Sequence, residues 1–201
     1  HGATITALRL GLAPQQQDPD PPELRTSLCG LDLSNPVGMA AGFDKNGEVP
    51  RPLARMGFGM VEIGTVTPLP QAGNPRPRLF RIPEAEGVIN RMGFNNDGHD
   101  EVFRRLNGVR VPAALGINIG ANKDSADFVA DYAKGVARFA RIADYLTRLD
   151  ELAQGDIFLV EVLGETLAYR VTDTRAVDPR DLTALRLEDD RDLVTLVTCT
   201  P

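Results

Sequence analysis

The chain has 201 residues, a mass of 21.8 kDa and a net charge of −6 from 22 basic and 28 acidic residues. That length allows one ordinary domain or two small ones with a real core, and falls short of a complete (β/α)8 barrel, which takes about 250 residues. An acidic chain without a basic run excludes nucleic acid as the main partner, and no apolar run reaches the ~18 residues of a membrane-spanning helix.

The first informative segment is Asn35-Pro-Val-Gly-Met-Ala-Ala-Gly-Phe-Asp-Lys-Asn46. It reads as an apolar strand entering a small-residue turn and then a lysine. Small residues let a flat ligand lie against backbone, Gly42 can take positive φ, and Lys45 offers a cation past the strand end. An ordinary turn with a surface lysine fits the same pattern. Residues 59–66 and 112–119 read as buried strands. Residues 68–86 are rich in Pro, Gly and Arg, the composition of a surface excursion. Gly57-Phe-Gly59 precedes a strand, whereas a dinucleotide fingerprint follows one. The stretch 95–100 has oxygen-bearing side chains without calcium-loop spacing, so a turn with an N-cap at Asp97 or Asp100 is expected, with His99 on the surface. Residues 125–145 read as an amphipathic helix on Val129, Tyr132, Val136, Phe139, Ala143 and Leu146, capped by Asp124 or Ser125. Strand and helix in alternation indicate a parallel α/β architecture.

A step follows. Residues 1–147 carry 16 basic and 16 acidic residues, whereas 148–201 carry six Arg, no Lys and 12 acidic residues, so the whole net charge lies in the last part. Of 19 Gly and 15 Pro, only two of each fall after 147. The expected division is 1–147 and 148–201. Beyond it the period becomes 2: 157–163 and 166–172 read as a β-hairpin across Gly164-Glu165, and 193–199 as a strand ending in Cys199. Cys29 and Cys199 form no CxxC pair, and no metal site is expected.

Five ordered motifs carry a resemblance. They are the 35–46 segment, Gly57-Phe-Gly-Met-Val-Glu-Ile-Gly-Thr65, Asn74-Pro-Arg-Pro-Arg-Leu-Phe-Arg81, Val88-Ile-Asn-Arg-Met-Gly-Phe-Asn95 and Leu115-Gly-Ile-Asn-Ile-Gly-Ala-Asn-Lys123. Together they resemble dihydroorotate dehydrogenase of the membrane-associated, quinone-using class, over residues 1–147. The resemblance implies a partial (β/α)8, TIM-type barrel holding FMN. In that family dihydroorotate gives a hydride to the flavin, and a quinone reoxidises it. By motif position Ala41, Gly42, Lys45, Thr65 and Asn118 would bind the cofactor. Lys45, Asn90, Arg91, Met92, Gly93 and Phe94 would meet the substrate, and His1 and Arg81 would line the quinone tunnel. A helix through Ile5, Leu8 and Leu12 would end a membrane-facing N-terminal element that this chain, starting at His1, enters partway. A small antiparallel plug is expected near 24–33. The implied location is peripheral, on the cytoplasmic side of the inner membrane.

The family's helix ending Ala-Asp-Tyr-Leu leads into a strand and a Ser-Ser-Pro-Asn-Thr loop bearing the serine base. Here Ala143-Asp-Tyr-Leu146 continues as Thr147-Arg-Leu-Asp-Glu151. The strand, the base and the late barrel strands are expected to be absent, and FMN binding weak or absent. Residues 148–201 instead resemble the C-terminal part of a pilin-type sortase, an extracytoplasmic cysteine transpeptidase, on Leu149-Asp-Glu-Leu-Ala-Gln-Gly-Asp-Ile-Phe158, Val162-Leu-Gly-Glu-Thr-Leu-Ala-Tyr-Arg-Val171 and Thr195-Leu-Val-Thr-Cys-Thr-Pro201. An all-β antiparallel fragment is implied, with Cys199 at the nucleophile position. Residues 148–201 contain no His, so an inert strand thiol is an equal reading of Cys199, and Cys29 reads as a plain strand residue. Three readings stand: an altered dihydroorotate dehydrogenase, a sortase with a foreign N-terminal segment, or a chimera with neither activity.

Overall fold

The computed structural model describes residues 1–28, 30–83, 87–147, 154, 157–162 and 165–172. In chain order the elements are α1 (Gly2–Arg9), β1 (Thr26–Leu28), β2 (Leu31–Leu33), β3 (Gly38–Met39), α2 (Pro50–Arg55), β4 (Met60–Val66), β5 (Leu79–Ile82), β6 (Gly87–Asn90), α3 (Gly98–Leu106), β7 (Ala114–Ile119), α4 (Phe128–Phe139), β8 (Tyr145–Thr147), β9 (Ile157–Val162) and β10 (Glu165–Arg170). Among the described residues, one unit holds 1–73 and 93–147, and a second holds 74–92 and those between 154 and 172.

The first unit is built on a four-stranded parallel sheet in the order β3-β4-β7-β8. Each neighbouring pair is joined through a helix, α2, then α3, then α4. Parallel strands taken in sequential order make the wall of a barrel, whereas a doubly wound sheet reverses direction from a central strand. In β4 the buried Val61 and Ile63 alternate with Met60 and Glu62, and β7 supplies Leu115, Ile117 and Ile119. These pack in one core with Val49 and Leu53, Val102 and Leu106 of α3, and Tyr132 and Phe139 of α4. Each such side chain contributes roughly 1.5–3 kcal/mol of burial free energy. The antiparallel pair β1–β2 lies where a small antiparallel element was expected, near 24–33.

The second unit contains two antiparallel ribbons, β5–β6 and β9–β10. The second ribbon pairs Val162 with Glu165, so β10 begins at a residue that the sequence reading placed in the turn. Cys29, Cys199 and the strand expected at 193–199 lie outside the described residues.

Several expectations are corrected. The helix spans Phe128–Phe139, not 125–145, and its cap is Asp127, whose carboxylate accepts from the Ala130 N–H at 2.9 Å. Its buried face is Tyr132, Gly135 and Phe139, while Val129 and Val136 are exposed. The chain turns at 140–144 and forms β8, so a strand stands where none was expected. The apolar period runs through this turn because Ala143 and Leu146 pack on the same core from a turn and a strand. Asp97 does occupy the N-cap position of α3, yet its side chain caps nothing and pairs with Arg105 at 2.7 Å. Asp100 lies within the helix. His99 is buried, not on the surface. The motif at 35–46 forms only the two-residue strand β3 before its turn, and Leu12 lies beyond the end of α1, exposed.

Candidate functional site

The residues expected to hold a cofactor gather where the parallel strands end. Ala41, Gly42 and Lys45 follow β3, and Thr65 and Asn118 are the penultimate residues of β4 and β7. The carboxyl ends of such strands are where α/β barrels form their sites, because the loops there vary without disturbing the packed wall.

Two backbone bonds draw the first loop onto β4. The Gly42 N–H donates to the Gly64 carbonyl at 2.8 Å, and the Gly64 N–H donates to the Asp44 carbonyl at 3.0 Å. Gly42 takes φ +102°, as its position required. Gly64 takes φ +110°, and a side-chain carbon there would stand 2.4 Å from the Asn118 carbonyl oxygen. Close approach of β4 to β7 therefore needs glycine at this point. Asp44 is almost wholly buried and accepts from the N–H groups of Glu48 and Val49, both at 2.8 Å. Burial raises its carboxyl above the ordinary carboxylate value, against the pull of those backbone bonds.

Across the strand ends runs a line of side-chain hydrogen bonds. Thr65 Oγ1 donates to Asn118 Oδ1 at 2.5 Å, Asn118 Nδ2 donates to Thr147 Oγ1 at 2.9 Å, and Thr147 Oγ1 donates to Glu62 Oε1 at 2.6 Å. Tyr145 also hydrogen-bonds Glu62, and burial together with that carboxylate pushes its hydroxyl well above the usual tyrosine range. Its ring covers the position where Gly116 would carry a side chain.

Phe94 joins this rim. A carbon added to Gly120 would meet the Thr65 methyl at 2.6 Å and the Phe94 ring at 3.9 Å. Buried Asn96 holds Phe94 in place: its Nδ2 donates to the Phe94 carbonyl at 2.7 Å and to Thr67 Oγ1 at 2.8 Å. Its Oδ1 accepts from the N–H groups of Thr67 and Gly98. Gln71 ties three loops. Its Nε2 donates to the Gly93 carbonyl at 3.0 Å, and its Oε1 accepts from Lys123 N at 2.9 Å and Asn122 Nδ2 at 3.2 Å.

The structure thus gathers Ala41, Gly42, Lys45, Thr65, Asn118, Gly93 and Phe94 in the first unit. Asn90, Arg91, Met92 and Arg81 belong to the second. There Asn90 and Arg81 lie on the exposed face of the β5–β6 ribbon, and the Arg91 N–H donates to the Arg78 carbonyl at 3.0 Å. His1 lies in the first unit, edge-on to Phe43 with ring centroids 5.5 Å apart. Sequence reasoning missed Glu62, Thr147, Asn96 and Gln71. For Glu62 the signal was present: a lone carboxylate alternating with Val61 and Ile63 in an otherwise apolar strand.

A cleft of about 840 Å³ opens beside the rim, bounded by loops 68–73 and 122–125 and lined by His99, Lys134 and Arg138. Of the residues expected in the site, only Gly93 lines it.

The sequence model described as dihydroorotate dehydrogenase matches residues 23–148. The chain belongs to the dihydroorotate dehydrogenase family. It is 58% identical over 147 residues to a dihydroorotate dehydrogenase (quinone) of Rhizobium rhizogenes, covering 73% of this chain and 41% of that protein. It is 57% identical over 148 residues to the protein of the same name from Parvibaculum lavamentivorans, covering 73% of this chain and 42% of the relative. A solved dihydroorotate dehydrogenase of Eimeria tenella in complex with ferulenol aligns with TM-score 0.69 and 44% identity, over 74% of this chain and 42% of that one. The chain therefore spans about two fifths of the length of these relatives. A second model, described as sortase domain, matches residues 140–201. No helix among the described residues is long and apolar enough to cross a membrane.

Proposed function

We propose that residues 1–147 form the early half of a quinone-class dihydroorotate dehydrogenase site, and that residues 148–201 are a sortase-like β segment joined to it. The observation that carries the first part is the meeting of Gly42, Thr65 and Asn118 at the ends of three adjacent parallel strands. Open space stands over Gly42, and Asn118 and Thr65 supply amide and hydroxyl groups beside it. These suit the flat, polar-edged ring system of FMN. Ala41, Gly42, Lys45, Thr65 and Asn118 would hold the ring. A bound flavin would supply hydride acceptance from dihydroorotate and electron transfer to a quinone.

This chain's residues would do the rest. The Lys45 ammonium offsets the carboxylate of the substrate. Asn90 supplies an amide for the pyrimidine's donors and acceptors, and Arg91, Met92, Gly93 and Phe94 shape its pocket. His1 and Arg81 would line the quinone path, at the cytoplasmic face of the inner membrane. Phosphate sites in such barrels belong to the loops of the late strands, and the family match ends at residue 148. The sequence after Thr147 also lacks the serine base. FMN therefore binds weakly, and dihydroorotate is not turned over.

Titration of the purified chain with FMN, followed by flavin fluorescence, tests this. Weak saturable quenching that is lost in Gly42→Val is expected, with no bleaching on anaerobic addition of dihydroorotate. Turnover would overturn the inactivity. Absence of saturable binding by a folded chain would overturn the flavin reading.

The sortase match over 140–201 favours a second reading, transpeptidation through the Cys199 thiol. Incubation with a sorting-signal peptide and mass spectrometry would reveal a thioester on Cys199 if that reading holds. The location would then be extracytoplasmic.

A further inference from the structure

Asn118 can present its amide in two ways, with oxygen and nitrogen exchanged. The two offer opposite hydrogen-bonding to whatever lies over the strand ends, and an amide does not choose by shape. In this structure the choice is made two side chains away. A carboxylate oxygen only accepts, so the single hydrogen of Thr147 Oγ1 must go to Glu62 Oε1, 2.6 Å away. Thr147 Oγ1 can then only accept from Asn118, so the atom 2.9 Å from it must be Nδ2. Oδ1 is left facing Thr65, whose hydroxyl donates to it at 2.5 Å. Exchanging the amide ends would set Asn118 Oδ1 against the lone pairs of Thr147 Oγ1, turning that hydrogen bond into a repulsion between two acceptors. The Tyr145 hydroxyl also hydrogen-bonds Glu62, so a second group occupies the carboxylate and holds it in place.

We infer that Glu62 is a positioning residue that sets the orientation of the Asn118 amide through Thr147, and so determines which hydrogen-bonding edge the site offers its ligand. Nδ2 carries two hydrogens and gives one to Thr147, leaving the other for an acceptor on the ligand. The consequence for flavin rests on the reading that Asn118 meets FMN. The orientation itself does not.

The test uses the whole chain and two readouts. The first is the side-chain amide of Asn118 by 1H–15N NMR, assigned through its loss in Asn118→Asp, with its exchange against water. In Glu62→Gln, a near-isosteric change, position 62 can donate as well as accept, and the order of the relay is no longer imposed. In Thr147→Val the relay is cut at constant volume. Both variants are expected to shift the Asn118 amide pair and speed its exchange, while Thr147→Ser, which keeps the hydroxyl, restores the native signals. Unchanged amide signals in folded Glu62→Gln and Thr147→Val would overturn the inference.

The second readout is FMN titration. An affinity about tenfold weaker in Glu62→Gln and in Thr147→Val, the worth of roughly one hydrogen bond, is expected, with native affinity kept in Thr147→Ser. If the native chain binds FMN and the Glu62→Gln amide changes without any change in affinity, the positioning role is overturned. If the amide changes as expected and the native chain binds no FMN, the orientation by Glu62 is supported and the flavin reading fails on its own.

Discussion

His99 stands edge-on to Phe139 with ring centroids 5.2 Å apart, and among the described residues its Nε2 has no hydrogen-bond partner. The imidazole joins α3 to α4, and it also hydrogen-bonds the Val66 backbone at the end of β4. Burial holds its pKa below the ordinary 6.5, more strongly than the Val66 bond and the Asp131 carboxylate raise it. Asp100 also faces it, and Arg138 opposes protonation. The unfolded chain then binds this proton more readily than the folded one. Stability from this group is present above pH 6.5 and is lost as pH falls from there toward the lower folded value. Thermal unfolding of the native chain should drop in midpoint between pH 7.5 and 5.5 by more than that of His99→Gln. Equal slopes would show that another group carries the acid sensitivity.

Asn96 makes four hydrogen bonds from a buried position, to Thr67 twice, to Gly98 and to Phe94. Asn96→Ala should cost about 2–3 kcal/mol by denaturant unfolding, because it strands buried partners as well as losing bonds. It should also loosen Phe94, which takes φ +46°. A cost below about 0.5 kcal/mol would show that this strap bears little of the fold.

Gly64→Ala puts a carbon 2.4 Å from the Asn118 carbonyl at φ +110°. Backbone on both sides blocks relief, so β4 and β7 must part. The expected loss is about 2 kcal/mol or more, with disturbed Thr65 and Asn118 resonances. Native-like stability would contradict the close approach described here.

Asp127→Ala removes the side-chain cap of α4 and should destabilise the chain by about 1 kcal/mol. Ser125→Ala and Asp124→Ala, at the caps first expected from sequence, should cost less. The reverse ranking, measured by urea unfolding, would return the helix start to residue 125.

Local pattern was enough for β4 and β7, but not for β8, whose first residue it read as helix. An apolar run bounded by Gly and Pro has few alternatives, and β4 and β7 lie within a residue or two of where the pattern set them. Helix extent was less legible. Periodicity records which residues meet the core, and Ala143 and Leu146 meet it after the helix has ended. His99 was misread as exposed because its type suggests solvent. Its spacing to Val102 and Leu106, three and seven residues on, marked the buried face of α3.

The linear order of small residues, Asn, Thr and Lys determined by itself that the first 147 residues are dihydroorotate dehydrogenase-like, because each motif is contiguous in the chain. The charge step after Thr147 was equally a property of sequence alone. Tertiary structure alone decided what joins those motifs. Glu62, Asn118 and Thr147 lie on three different strands, and only the parallel register of β4, β7 and β8 brings them within hydrogen-bond reach. A hydrogen bond needs its atoms within about 3 Å and aligned. That condition depends on how strands pair, and residues 85 positions apart do not display it along the chain.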